Sequence, residues 1–294
     1  MKTLQGTGVA LVTPFDENGD IDFASLKRLL VHTARGVDYY VVQGTTGESA
    51  TLTKEEKRKV LAFVIQNNRK KLPIVYGIGG NSTAAVLEEI QHTDFRSISA
   101  ILSVSPYYNK PSQEGIVHHF NFVADASPVP VILYNVPGRT SSNLNASTTL
   151  RLARHKNIIG IKEASGNLEQ CMKIAKEKPG DFMLISGDDL LTLPIYAIGG
   201  VGVISVLANA FPVVFRKMKD YAFAGQYEKA QKELFKLVDI NSPMYEEGNP
   251  VGIKQLLYEM GICGPNVRLP LVQASEGLVR KIRSLYEANK KGLQ

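Results

Sequence analysis

The chain has 294 residues, 44% of them hydrophobic and 21% charged, so it can bury a sizeable core and is not a disordered polymer. Its 34 basic and 28 acidic residues give a net charge of +6, but the charges are scattered at helical spacing, as in Lys54-Glu55-Glu56-Lys57-Arg58-Lys59. No basic block alternates with aromatics, so nucleic-acid binding has no footprint here. The two cysteines, Cys171 and Cys263, form no CxxC pair and the five histidines show no metal-ligand spacing; this argues against a zinc site and fits free thiols in a reducing, cytoplasmic setting.

The chain begins Met1-Lys2-Thr3-Leu4-Gln5-Gly6, without the apolar run of a secretion signal. Apolar strand-like runs then follow at 8–14, 39–44, 74–79, 100–106, 131–136, 158–162, 183–186 and 203–206. Between them the periodicity predicts helices near 22–35, 53–70, 82–94, 112–125, 145–155, 167–178, 190–198 and 212–224. The second helix is well marked: Thr53 with Glu56 three residues on forms a capping box, and Val60, Leu61, Val64 and Ile65 make its apolar stripe. No charged residue occurs from Leu190 to Phe215, yet Pro194, Gly199, Gly200, Gly202, Asn209 and Pro212 interrupt the segment. It is therefore read as a buried helix, a turn and a buried strand rather than a membrane span.

Eight strand–helix units of continuous apolar strands point to parallel strands covered on both faces, closed into a (β/α)₈ TIM barrel over residues 1–225. An open doubly wound sheet would favour a glycine-rich phosphate turn after the first strand; here that turn is Thr13-Pro14-Phe15-Asp16. Residues 226–294 read as a C-terminal appendage of three helices near 226–240, 250–261 and 270–289, the last with Leu278, Val279, Ile282 and Leu285 as its stripe.

In such a barrel reactive groups gather where the strands end. Those positions hold Gly44-Thr45-Thr46-Gly47-Glu48, Pro106-Tyr107-Tyr108-Asn109, Tyr134-Asn135-Val136-Pro137-Gly138-Arg139-Thr140, Lys162, and Ser186-Gly187-Asp188-Asp189. Lys162 closes the β-branched run Ile158-Ile159-Gly160-Ile161. Alternation places Ile158, Gly160 and Lys162 on one face, read as the barrel interior. Desolvation there, and a nearby Arg139, disfavour the ammonium form, and a neutral amine attacks a carbonyl to give a Schiff base. A Schiff base on a small keto acid needs an anion site, for which Thr45 and Thr46 offer hydroxyls and backbone N–H groups. It needs a proton shuttle, for which Tyr134 on the neighbouring strand offers a phenol. An acidic second substrate needs a cation, for which Arg139 offers a carboxylate-matching fork. Each residue taken alone has an ordinary structural role as competitor; their coincidence at the strand ends carries the reading.

The segments 44–52 (GTTGESATL), 105–115 (SPYYNKPSQEG), 134–140 (YNVPGRT), 160–168 (GIKEASGNL), 186–189 (SGDD), 202–206 (GVISV) and 268–271 (RLPL) together resemble the dihydrodipicolinate synthase family of pyruvate-dependent Schiff-base aldolases, over about residues 6–290. The resemblance implies that Lys162 forms the Schiff base and that Tyr134, Thr45 and Tyr108 relay protons, Tyr108 reaching the site of the adjacent subunit. It implies that Thr46 and the backbone at Ile204 hold pyruvate, that Arg139 binds the carboxylate of L-aspartate 4-semialdehyde, and that Gly187 lines the pocket. It implies no metal and no organic cofactor, and a homotetramer built from tight dimers. Family members inhibited by lysine carry two histidines and a glutamate where this chain has Lys54, Lys57 and Ala85, beside matching Ser49, Ala50, Asn81 and Tyr107; feedback by lysine is expected to be weak. The competing readings are a related aldolase acting on a sugar acid, as in N-acetylneuraminate lyase, a pyridoxal-phosphate enzyme using Lys162, and a non-catalytic binding barrel. Arg139 and the Thr45–Thr46 pair argue against the first.

Overall fold

A computed structural model describes residues 4–293. Eight strands, β1 (Gly6–Ala10), β2 (Tyr39–Val42), β3 (Ile74–Gly77), β4 (Ala100–Val104), β5 (Val131–Asn135), β6 (Ile158–Glu163), β7 (Met183–Ser186) and β8 (Gly202–Ser205), follow one another around a closed barrel in sequence order. With helices between the strands and at the C-terminus this is the expected (β/α)₈ architecture. β2, β5, β6, β7 and β8 are buried along their whole length, which is why they read as unbroken apolar runs rather than alternating ones.

Five of the eight strands stop one or two residues before the apolar run does, and β1 stops four before. At β2 the cause is visible: Gln43 turns into the left-handed region with φ 64°, so the chain leaves the sheet before Gly44. In β6 the pairing steps from Val131↔Ile158 to Ile132↔Gly160, leaving Ile159 as an extra residue. Parity counted from Ile158 therefore does not carry through to Lys162; parity counted from Gly160 does.

Two compact units make up the chain. In the unit Pro73–Ile204, helices Thr83–Gln91 and Gln113–Ala126 pack together, as do Ala146–Leu152 and Leu168–Glu177. His118 is exposed, whereas His119 is 4% exposed, with Nδ1 2.9 Å from the Thr83 hydroxyl. Burial pulls its imidazole down to about 4, so it is a neutral core residue. The uncharged stretch resolves into helix Thr192–Ala197 and strand β8, and among the described residues no helix is long and apolar enough to cross a membrane.

The second unit joins Gly6–Leu72 to the chain from Ser205 onward. Gly8 pairs with Tyr39 across β1 and β2, and a Cβ on it would collide with the fully buried Tyr39 ring, so only glycine fits. The region after 225 forms helices Tyr227–Phe235, Val238–Asn241, Val251–Glu259 and Glu276–Leu293, the first predicted pattern being divided in two. On the last helix Leu278, Ile282 and Tyr286 are buried at i, i+4, i+8 spacing, while Val279 and Leu285 sit half-buried on its flanks. Tyr286, not Leu285, completes the stripe.

The capping box forms as read: Glu56 N donates to Thr53 Oγ1 at 3.2 Å and Thr53 N to Glu56 Oε2 at 2.8 Å. The Glu56 carboxylate also takes two bonds from the Arg268 guanidinium, at 2.6 and 3.0 Å, with both side chains largely covered. The bond from Arg268 holds the Glu56 carboxyl down at about 2, from an ordinary 4.5. Its proton is bound less tightly in the folded chain, so this pairing stabilises fully above about pH 4.5 and is lost as pH falls toward 2. The expected result is that Glu56→Gln, which can still cap the helix, costs on the order of 2 kcal/mol in urea unfolding at pH 6 and progressively less below pH 4. An equal cost at both pH values would show that the charge contributes nothing.

Candidate active site

The ends of β5 and β6 bring the two central residues together. The register pairs Tyr134 with Lys162 and Asn135 with Glu163. Lys162 and Tyr134 therefore share one face of the two strands, and Asn135 and Glu163 share the other. Lys162 is 6% and Tyr134 7% exposed, and Lys162 Nζ stands 4.2 Å from the centre of the Tyr134 ring. No carboxylate pairs with Lys162 among the described residues. A buried lysine without a counter-ion is costly to keep, and such residues cluster where chemistry is done.

The opposite face holds a network that sequence reasoning missed. Glu163 is 2% exposed and pairs with no cation among the described residues; instead its carboxylate accepts from Asn135 Nδ2 at 3.1 Å, Gln170 Nε2 at 2.8 Å and Ser165 N at 2.8 Å. Asn135 Nδ2 also donates to Asn143 Oδ1 at 2.8 Å, and its own Oδ1 accepts from Leu144 N at 2.9 Å. These bonds tie β5 to β6 one residue beyond Tyr134 and Lys162 and so fix the spacing of that pair. The signal available in the sequence was a polar residue directly after each of the two candidates, in strands otherwise apolar. The nearby Cys171 thiol is pushed up to about 12, by burial first and by the Glu163 charge second, so it is an inert core thiol.

The remaining candidates of this unit lie on strand ends and the turns after them. Tyr108 follows β4, 87% exposed and with φ 74°, an uncommon conformation for an aromatic residue. Its N–H donates to Thr140 O at 3.4 Å, in the turn that also carries Arg139. Arg139 is exposed on the helical turn Pro137–Thr140 directly after β5. Gly187 N donates to Glu163 O at 2.7 Å, and a Cβ there would come within 2.5 Å of Ala164 Cβ, so the ends of β6 and β7 approach too closely for any side chain. Ile204 is fully buried in β8.

In the other unit, Thr45 and Thr46 occupy the 3₁₀ turn Thr45–Gly47 after β2. Thr45 is half-buried and Thr46 is 3% exposed, its Oγ1 accepting from Asn249 Nδ2 at 3.1 Å. The turn is closed by Gly47 N to Gly44 O at 3.0 Å and anchored by Thr13 Oγ1 donating to Gly47 O at 2.7 Å. Among the described residues no group of three or more His, Cys, Asp or Glu side chains is arranged to hold a metal ion.

A family model described as the dihydrodipicolinate synthetase family matches residues 3–289. The chain belongs to the dihydrodipicolinate synthetase family. Members of this family are enzymes: a 4-hydroxy-tetrahydrodipicolinate synthase from Cytophaga hutchinsonii is 50% identical over 287 residues, covering 97% of each chain. Among solved structures, a monomeric dihydrodipicolinate synthase variant superposes with a TM-score of 0.95 at 35% identity, covering 100% of this chain and 98% of its own. The chloride-inhibited dihydrodipicolinate synthase from Acinetobacter baumannii, solved in complex with pyruvate, gives 0.94 at 36% identity, covering 99% and 100%. The resemblance carried by the seven segments is thus that of a family member over nearly its full length.

Proposed function

We propose that this chain condenses pyruvate with L-aspartate 4-semialdehyde to 4-hydroxy-tetrahydrodipicolinate, the first committed step of diaminopimelate and lysine synthesis, through a Schiff base on Lys162. The observation that carries this reading is the buried Lys162 amine, without a carboxylate partner and 4.2 Å from the Tyr134 ring. The amine attacks the keto carbon of pyruvate, and the carbinolamine loses water to give the imine. Loss of a methyl proton gives the enamine, whose carbon bonds to the aldehyde carbon of the second substrate. The amine of that substrate then adds to the imine carbon, expels the Lys162 amine and closes the ring. Tyr134 donates and accepts the protons of these steps, with Thr45 and Tyr108 relaying them.

Thr46 and the backbone at Ile204 hold the pyruvate carboxylate, Gly187 lines the pocket through its backbone, and Arg139 takes the carboxylate of the semialdehyde. The lysine itself acts as electron sink, so the chemistry asks for no metal and no organic cofactor. Exposed Tyr108 completes the site of an adjacent subunit, in a homotetramer made of two tight dimers. Residues 1–225 form the catalytic barrel and 226–294 its helical region. Two buried free thiols suit a reducing, cytoplasmic compartment.

The deciding test is borohydride reduction in the presence of pyruvate, with a coupled assay on both substrates. A mass adduct on Lys162 is expected, and no adduct would overturn the reading. Arg139→Ala is expected to raise KM for the semialdehyde about 10- to 100-fold, as for the loss of a charge-assisted bond, and to leave KM for pyruvate nearly unchanged. Lysine inhibition is expected to be weak, because exposed Lys54 and half-buried Lys57 place cations where a lysine ligand would bring its own charge. A half-inhibiting lysine concentration below about 1 mM in the coupled assay would contradict this.

A further inference from the structure

Directly behind Thr45 and Thr46, Glu48 adopts φ 53°, ψ 37°, a left-handed conformation that a non-glycine residue keeps only when its surroundings impose it. What imposes it comes from the C-terminal region. Lys254, on helix Val251–Glu259, is fully buried, and its Nζ donates to Glu48 Oε1 at 2.5 Å and to Asn266 O at 2.8 Å. The ammonium also stands 4.1 Å from the centre of the Phe15 ring, so each side of it meets an acceptor or a π face. Glu48 Oε2 accepts from Arg268 N at 3.0 Å. The Arg268 guanidinium reaches onward to Thr51 O at 3.1 Å and to Glu56. Both carboxylate oxygens of Glu48 are thus engaged, and the chain from 48 to 56 is fastened at three points by residues more than 200 positions away.

Stability alone does not account for this arrangement. A buried ion pair gains little over apolar packing of the same volume, whereas it fixes geometry closely. The geometry it fixes includes Thr46. Asn249, two residues before the same helix, donates Nδ2 to Thr46 Oγ1 at 3.1 Å. That oxygen therefore acts as an acceptor toward Asn249, and its own hydrogen meets no acceptor among the described residues. The hydroxyl is left poised to donate to an anion.

We propose that Glu48, clamped by the buried ammonium of Lys254, is a positioning residue for the reaction: it holds the turn at 44–48 so that Thr46 presents its hydroxyl to the pyruvate carboxylate. The inference deepens the reading given above and rests on it for the role of Thr46. It makes the C-terminal helical region a structural part of the substrate site.

The test compares wild type with Glu48→Gln, Lys254→Met, the double variant and Asn249→Ala, reading hydrogen exchange without substrate and steady-state kinetics. Hydrogen exchange at residues 44–52 is expected to speed up at least about tenfold in the pair variants while the strands keep their protection. KM for pyruvate is expected to rise at least about tenfold with kcat within about threefold, and Asn249→Ala to repeat the kinetic change with less effect on exchange. Should Lys254→Met fail to fold, the double variant, which leaves no unpaired charge, and Asn249→Ala carry the same comparison. Loss of protection across the whole chain, or a pyruvate KM within about twofold of wild type in the folded variants, would overturn the proposal. A wild-type protein that forms no pyruvate adduct would sink the Schiff-base reading instead; the exchange measurement, made without substrate, tells the two failures apart.

Discussion

Lys162→Ala is expected to abolish the pyruvate adduct and lower turnover in the coupled assay at least about 10³-fold, because the proposed covalent step runs through the Lys162 amine. The same substitution is expected to leave the melting temperature unchanged or raise it. Lys162 is buried without a carboxylate partner, and a chain that no longer shields such a group gives up function and not stability. Lys162→Arg serves as the control, since it keeps a long polar side chain without the nucleophilic amine. Intact protein mass after borohydride treatment reads the first outcome and thermal unfolding reads the second. Activity within about tenfold of wild type in Lys162→Ala would remove the lysine from the mechanism altogether.

Glu163→Ala is expected to have the opposite profile, a large loss of stability with a secondary loss of activity. The substitution removes the charged acceptor shared by three donors: Ser165 N then has no partner among the described residues, while Asn135 Nδ2 keeps only Asn143 Oδ1 and Gln170 Nε2 keeps Leu144 O and a long contact to Asn143 Oδ1. Losing these charge-assisted bonds costs about 3–5 kcal/mol, which for a chain of this size lowers the melting temperature by about 10 °C. Because the same bonds hold β5 against β6, the surviving folded protein is expected to form its borohydride adduct more slowly. Glu163→Gln should fall between the two, since its amide keeps an acceptor for Ser165 but meets the Asn135 and Gln170 amides donor to donor. A melting temperature within about 2 °C of wild type in Glu163→Ala would show that the network is not what secures the strand pair.

The two substitutions also mark what could and could not be read from the residues alone. The strand count, the strand order and the placing of Lys162 and Tyr134 on neighbouring strands were legible because continuous apolar runs are local signals, whereas alternation counted from Ile158 fails before it reaches Lys162. Strand ends were less so, because departures such as the left-handed Gln43 carry no compositional mark. The extra residue Ile159 was invisible, since a bulge depends on how β5 lies beside β6. Glu163 and Lys254 were passed over for a different reason. Each looks like an ordinary solvent-facing charge at its position, and only partners distant in sequence make it a buried one. The capping box at Thr53 and Glu56 was legible, yet the second partner of that glutamate, Arg268, stood only within a quoted family segment with no role attached.

The separation along the chain between Glu48 and its two partners has a consequence for biosynthesis. Residue 48 leaves the ribosome early, whereas Lys254 and Arg268 lie 206 and 220 positions later. At 5–20 residues added per second, about 10–40 s pass before the two cations arrive. During that interval the nascent polypeptide carries Thr45, Thr46 and, in time, Lys162, but lacks the contacts that hold Glu48. If the clamp acts as proposed, translation must almost finish before the turn is set for a keto acid, and a product terminated before residue 254 is expected to retain no pyruvate.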